Sequence, residues 1–571
     1  MNVKDRRVSF YIIVKVCDRP RLVCNFIESL ANFLDRRQQT DSFRLLLFDD
    51  SISSDVEEAV KKKIRGMGRL PYEFEFWNWK RQRDFLCSNF SQKQLSDYVD
   101  FVGNVFSETS EWHHRGVVRF ANIIMLILSS LKRDDPRPRL YCHFDDDESF
   151  SALVAEDDHF CVREMPFDYF QEMKNIFLNS NASLVTSTYT GDPPMSSAGM
   201  LRTNLEDCLD FFEYLEYSGN NPNAPYRVPE INREAYSFET MAFYDHSELM
   251  GRHRKTYDRR YKYHYRFKER ISKPTLAVAL QNYLRELLYS PFGVHPTRPI
   301  LWQEGFYCRP ANNVFPGNYV SNDNMLRFVF PVASPRIRRN GPLYGRLLNQ
   351  VIGKRLRITN LPVMHHKVLN YEIGPEFRIG VNTSKEFTDF SGEMLSQFRG
   401  DVIIETVEQI QEKIGNLLGL VFFGKQGQEI FNREYRQSIE RVGEIYYKNA
   451  REIQQVISKF QERGYLYDNR FWWNMEPYKP QLSVVTHLIQ SAKRAWDTGR
   501  VIPSFIAQVC QPEEVENIKR QIIATLKTYH NLIPKLNVSY GRSLMSIAVH
   551  YARLLASFGS QDRFHNQKPS P

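Results

Sequence analysis

The sequence predicts an α/β fold, a doubly wound mixed sheet with an insertion, followed by a mostly α-helical C-terminal domain. Three observations predict it. From residue 10 onward, short apolar runs alternate with stretches of helical spacing. Several of those runs end abruptly in carboxylates, most sharply Tyr141-Cys142-His143-Phe144-Asp145-Asp146-Asp147-Glu148. From about Ser384 the strand-like runs give way to amphipathic patterns rich in Glu, Arg and Gln.

The elements follow in order. Phe10–Val16 is an apolar run bounded by charge, the form of a central strand. Cys17-Asp18-Arg19-Pro20 ends it, because proline cannot continue a strand ladder. Residues 21–34 then place Leu22, Phe26, Leu30 and Phe33 at helical spacing. A second run, Phe43–Phe48, ends in Asp49-Asp50-Ser51, and Ser53, Ser54 and Asp55 offer caps for a helix over Val56–Ile64. Tyr72–Trp79 alternates and reads as a third strand. This β-α-β-α-β opening calls for a doubly wound sheet, in which ligands sit beyond the C-terminal strand ends. Ser183–Thr190 is a later strand, and the small-residue stretch to Gly199-Met200-Leu201 reads equally as a lid or a plain loop.

The bulk numbers narrow the classes. At 571 residues the chain has room for two or three domains. It is 42% hydrophobic and 25% charged, which excludes a disordered chain. No apolar run approaches the ~18 residues needed to span a bilayer. The net charge of +9 suits a phosphorylated ligand or an anionic surface and gives no argument for nucleic acid. Eight scattered cysteines contain no CxxC pair, which argues against a zinc finger or a disulfide framework and for a reducing compartment. Met1–Ser9 is charged and lacks a signal-peptide core, so the expected location is cytoplasmic.

A strand cannot bury three adjacent aspartates without partners. The expected arrangement leads Asp145 and Asp147 out of the sheet into a cleft, where paired carboxylates can hold a hard divalent cation that also grips phosphate oxygens. A solvated acidic turn is the plain alternative. Asp49-Asp50 ends a neighbouring strand on the same rim, and Arg115, Gly116, Arg119 and Asn122 enter a very apolar helix. A helix start with arginines suits a diphosphate, and equally suits a solvated helix end.

This series of a strand, Arg-Pro and helix, a strand ending in Asp-Asp-Ser, an Arg-x-x-Asn helix start and a strand ending in Asp-Asp-Asp resembles the GT-A fold of nucleotide-sugar glycosyltransferases. It is most similar to the inverting family 2 enzymes. The resemblance runs over roughly residues 10–367 and sets the expected organisation. Residues 1–383 form the GT-A-like domain, with 205–289 as an insertion or acceptor subdomain. Residues 384–559 form the helical domain, and 560–571 a disordered tail. It implies that Arg19 and Asp50 contact the nucleoside, and that Arg119, with Asn122 beside it, lies near the base or phosphates. Asp145 and Asp147 would bind Mn2+ or Mg2+ and the diphosphate, with His365 or His366 as a further ligand. The resemblance also implies a nucleotide diphosphate-sugar donor and a glycan, lipid-linked or other hydroxyl acceptor, in a setting such as surface polysaccharide synthesis. Peripheral contact with the inner membrane face is the matching location.

One departure matters. Where the family has an acidic pair that includes the catalytic base, this chain reads Asn340-Gly341-Pro342. Inverting transfer needs a base, and Asp323, then Glu304, are the candidates. A nucleotidyltransferase is a rival reading, weakened by the absence of glycine at residues 17–20. A non-catalytic nucleotide-sugar-binding protein is another. Tyr261, Tyr263, Tyr265 and Phe267 alternate with Lys262, His264, Arg266 and Lys268, which predicts a strand with an aromatic and a basic face. That strand is either a platform for an anionic acceptor or a core stripe with solvated cations outside.

Overall fold

The first strand, β1 (Ser9–Val16), is buried along its whole length. Phe10, Ile12, Val14 and Val16 pack into one apolar cluster and Tyr11 and Ile13 into another, as a period of two across a two-faced sheet requires. The computed structural model describes residues 7–37, 40–51, 53–96, 99–103, 116–131, 136–156, 159–165, 167–194, 197–228, 230–237, 262–289, 293–294, 297–332, 334, 337–366 and 391–532.

β1 pairs in parallel with β2 (Ser42–Asp49) on one side and β4 (Arg139–Asp145) on the other, and β2 pairs with β3 (Glu73–Trp77). The short β5 (Glu148–Ser149) leads into a separate hairpin of β6 (Ser151–Glu156) and β7 (His159–Glu164). β8 (Leu184–Gly191) returns to the main sheet, and β9 (Leu288–Tyr289) and β10 (Gly293–Val294) form a small pair of their own. β11 (Cys308–Pro310), β12 (Asn318–Asn322) and β13 (Leu356–His365) complete a nine-stranded sheet of order β11-β13-β8-β12-β4-β1-β2-β3, with β5 on the end of β13.

β12 runs antiparallel to both β4 and β8, while β8 and β13 run parallel. Six strands therefore end on one rim and β12 begins there. Helices Pro20–Asp35 and Asp55–Met67 make the β1–β2 and β2–β3 crossovers. Pro20 suits the first turn, where its missing N–H is not needed.

The C-terminal region is helical as expected, with Ser391–Ile414, Gly424–Arg463, Ser483–Ala495, Val501–Val509 and Pro512–Leu532 as its main helices. It does not stand apart from the sheet. One apolar cluster runs from Tyr11 and Ile13 through to Tyr529 and Leu532. Polar ties cross the same seam. Arg202 donates to Asn449 at 2.8 Å and Glu452 at 2.7 Å, Arg339 pairs with Asp401 at 3.1 Å, and the Tyr529 hydroxyl donates to the Val329 carbonyl. Phe471-Trp472-Trp473, placed in a loop by the sequence, is buried, with Trp473 donating to the Tyr465 carbonyl at 2.9 Å.

Three local expectations change. The third strand stops at Trp77, because Asn78 caps a helix, Trp79–Asn89, by accepting from Arg81 N–H. Gly199, Met200 and Leu201 lie in the first turns of a helix, Ser197–Ser218, and not in a loop. Residues 262–266 form no strand, and Phe267 makes a single bridge to His159. Tyr263, Tyr265 and Phe267 are buried, so the aromatic face belongs to the core. Arg266 is buried with them, against the expected alternation. Arg115, Tyr261, the remainder of the basic stretch from Arg252, Lys367 and the 560–571 tail lie outside the described residues.

Candidate functional site

The acidic turn sits where β4 leaves the sheet, and three connections fix it there. Lys15, the one charged side chain inside β1, is in register with Asp145 and pairs with it at 2.8 Å. The same ammonium donates to the Pro316 carbonyl at 2.9 Å. Arg19, which caps the helix after β1, reaches Asp146 at 2.6 Å and Asp147 at 2.9 Å. Two cations thus face four consecutive carboxyl groups. β5 then pairs with the end of β13, His365 against Glu148, and His366 N–H donates to the Asp147 carbonyl at 2.7 Å.

Glu148 is fully buried, and among the described residues neither of its oxygens has a hydrogen bond of good geometry. Burial first, and then the neighbouring Asp145 and Asp147, hold its carboxyl well above the usual carboxylate range. Gly317 closes over this point. A Cβ there would stand 2.4 Å from Asp145 Oδ2 and 2.7 Å from Glu148 Oε1, so any side chain at this position would force the carboxyl groups of the turn to shift.

The two histidines have separate roles. His365 Nδ1 lies 2.8 Å from the Asp192 carbonyl, an acceptor only, so Nδ1 carries the proton. With Nδ1 turned to that carbonyl, Nε2 is the ring nitrogen that faces Asp147 Oδ1, at 3.6 Å. His366 turns to the opposite side, against the Ser149 hydroxyl. Burial pushes its pKa down to about 4.

The pair Asp147–His365 suits a divalent cation. Two ligands about 2.1 Å from one ion at roughly 90–110° stand about 3–3.5 Å apart, close to the 3.6 Å between Oδ1 and Nε2. The carbonyl behind His365 is the kind of support that metal-binding imidazoles have. Among the described residues no group of three or more His, Cys, Asp or Glu side chains is placed to hold an ion alone. Protein ligands would therefore be few, the situation in which Mg2+ takes phosphate oxygens and water as well.

The remaining candidates divide. Asp50 is buried on this rim, its N–H donating to the Val16 carbonyl at 3.0 Å. Arg119 lies in the first turn of helix Val117–Ser130. Asn122 is not a ligand contact. It is fully buried, donates to the Phe101 and Phe330 carbonyls at 3.2 Å and accepts from Phe330 N–H at 2.6 Å. Asp323 lies at the wrong end of the sheet for a base. β12 runs against β4, so Asn322 faces Leu140 and Asp323 accepts from the Tyr141 hydroxyl at 2.8 Å. Five residues of strand, about 17 Å, separate Leu140 from Asp145. Glu304 stands on an exposed loop along the outer edge, beside Asn360, whose amide donates to the Gly305 carbonyl at 2.6 Å. Asn340 begins helix Asn340–Ile352, with no acidic residue in its first turn.

Sequence reasoning missed Lys15 and gave neither Glu148 nor Asp192 a part beside His365. A lone lysine in an apolar strand was the available signal for Lys15. The rest needed the β5–β13 and β8–β13 pairings.

No protein-family model matches the chain, and no curated protein matches it. Among solved structures, S. aureus TarS 1-349 matches at 8% identity and a TM-score of 0.24, over 92% of this chain and 91% of that one. Mouse xyloside xylosyltransferase 1 matches at 11% identity and a TM-score of 0.19, over 39% of this chain and 62% of that one. At such TM-scores neither likeness carries a functional argument, and the reading rests on the site itself.

Two substitutions test these assignments. Asn122→Leu leaves three buried backbone groups without their partner, at about 1–3 kcal/mol each. The expected outcome is a protein several degrees less stable in thermal melting, with ligand responses at the rim unchanged. Asp49 is buried, and its pKa rises to about 6 from 3.8 because burial outweighs the two hydrogen bonds from Ser51. A raised carboxylate pKa stabilises the fold at low pH and loses that share as pH climbs through about 6. Asp49→Asn is therefore expected to be more stable than the parent at pH 8, by on the order of 3 kcal/mol, and to lose that advantage near pH 4 in urea titrations.

Proposed function

We propose that the chain is a metal-dependent glycosyltransferase that moves a sugar from a nucleotide diphosphate-sugar to a hydroxyl acceptor. The observation that carries this reading is the Asp147–His365 pair, with its tautomer set by the Asp192 carbonyl, on the rim where β1, β2 and β4 end. Arg19 stands beside it as a cation for a diphosphate. Asp50 is the buried carboxylate on the same rim suited to a nucleoside. A bound Mn2+ or Mg2+ would neutralise the leaving diphosphate. Asp147 and His365 would hold it, and Asp145 would stay with Lys15. In the transfer, the acceptor oxygen bonds to the anomeric carbon and the bond to the diphosphate breaks with its electron pair on the phosphate oxygen. The acceptor's proton leaves to a base that neither Asp323 nor the start of helix Asn340–Ile352 supplies.

That last point favours a second reading, a nucleotide-sugar-binding protein without turnover. The first turn of that helix lacks a carboxylate, and part of the acidic turn's charge is already paired with Lys15 and Arg19.

A melting panel with UDP, GDP, CMP and dTDP, each with Mn2+ or EDTA, tests both. A ligand that binds only the native state raises the melting temperature, by about 2.7 kcal/mol of stability at a hundredfold excess over Kd. One nucleotide is expected to act only with Mn2+, and Asp147→Asn is expected to abolish that response while the unliganded protein still melts cooperatively. A metal-independent response, or none, overturns the metal assignment. Release of the nucleotide from the matching nucleotide-sugar then separates the transferase from the binding protein.

A further inference from the structure

Behind the acidic turn lies a cavity of about 90 Å³. A single water needs only about 10–15 Å³ on the same measure, so the space admits something larger. The β6–β7 hairpin contributes Val162, and helix Leu276–Leu287 contributes Tyr283 and Glu286. The stretch after residue 262 contributes Tyr265 and Arg266. Its floor is Gly191-Asp192, the same two residues that hold His365.

That shared floor makes the cavity and the acidic turn neighbours. Asp192 N–H donates to the His365 carbonyl at 2.9 Å, and the Asp192 carbonyl meets His365 Nδ1 at 2.8 Å. A Cβ on Gly191 would stand 2.6 Å from the His365 carbonyl oxygen, so the wall between them is one backbone thick. Gly191 has φ +79°, which suits glycine as well.

The lining states the chemistry of the occupant. Aromatic rings offer flat apolar faces, and two cations, Arg266 and Lys268, are balanced by two acids, Asp192 and Glu286. Glu286 accepts from the Tyr265 hydroxyl at 3.0 Å, which orients its carboxylate within the wall. A site with no net charge, aromatic faces and several fixed donors and acceptors matches a neutral polyhydroxyl ring, whose C–H face packs on aromatics while its hydroxyls meet the polar groups. A nucleotide's diphosphate would find no excess of cations here.

We propose that this cavity binds a neutral sugar ring. Resting on the transferase reading above, that sugar is the acceptor, held across the Gly191-Asp192 wall from the donor's diphosphate. The aromatic stripe of residues 263–267 is then both core and part of a ligand wall, because its tyrosines line the cavity from within the buried layer.

The test uses the full chain and four probes: the methyl glycosides of glucose, galactose, mannose and N-acetylglucosamine, followed by saturation-transfer NMR. Val162 is 52% exposed, so Val162→Trp can project across the cavity without disturbing the core. Glu286→Gln keeps the side-chain volume and changes the hydrogen-bonding pattern. At least one glycoside is expected to bind the parent, with about a tenfold or greater loss of affinity in Val162→Trp and a measurable loss in Glu286→Gln. The nucleotide melting response is expected to be unchanged in both variants. Binding of none of the glycosides to the parent overturns the proposal, as does equal binding to both variants and the parent. If a glycoside binds as expected and no nucleotide shifts the melting temperature, the sugar site stands and its role as acceptor falls with the transferase reading.

Discussion

The pairing of Lys15 and Arg19 with the acidic turn is the interaction on which the rest of the site depends. Asp146 and Glu148 are buried, and Asp147 nearly so. Carboxylates in such a place are tolerated only when neutralised or paired. Lys15 and Arg19 supply the opposite charge, and burial pushes the Glu148 carboxyl well above the usual carboxylate range. Because Lys15 comes from inside β1 and Arg19 from the cap of the helix after it, this compensation also fixes how β1 meets β4. Removing either cation would leave an uncompensated charge in the sheet's rim, a larger penalty than losing an exposed ion pair.

From that fixed point the structure builds outward in one direction. The turn passes into β5, β5 pairs with β13, and β13 delivers His365 opposite Asp147. β13 in turn lies beside β8, and Gly191 at the end of that strand with Asp192 just past it both orient His365 and floor the neighbouring cavity. Three segments remote in sequence therefore meet at Asp147, His365 and Asp192. Each meeting is a backbone pairing first and a side-chain contact second.

The reversed strand β12 explains why the proposed base did not fall into place. A residue just after β12 is carried away from the rim, and Asp323 ends beside Tyr141. The residue just before β12 is carried to the rim, and there the chain has Gly317, with no side chain to act. Asn122 was misread for a different reason. A polar residue near a helix start looks like a ligand contact, whereas this one satisfies the backbone of a segment some 208 positions away.

The sequence by itself determined β1, β2, β3, β4 and β8 and the acidic strand ends, because hydrophobic patterning is local and each run carries its own signal. It also marked the C-terminal half as helical and singled out Asp147 and the His365–His366 pair. Tertiary structure decided what those residues face. Strand order, the antiparallel sense of β12 and the β5–β13 pairing are set by contacts between residues far apart in the chain, which no local pattern encodes. Lys15 could be seen as a charge in an apolar strand, but only its register against Asp145 made it a counter-ion. The aromatic stripe after residue 262 could be read as core or platform, and only the packing of the β6–β7 hairpin and helix Leu276–Leu287 around it made it the wall of a cavity.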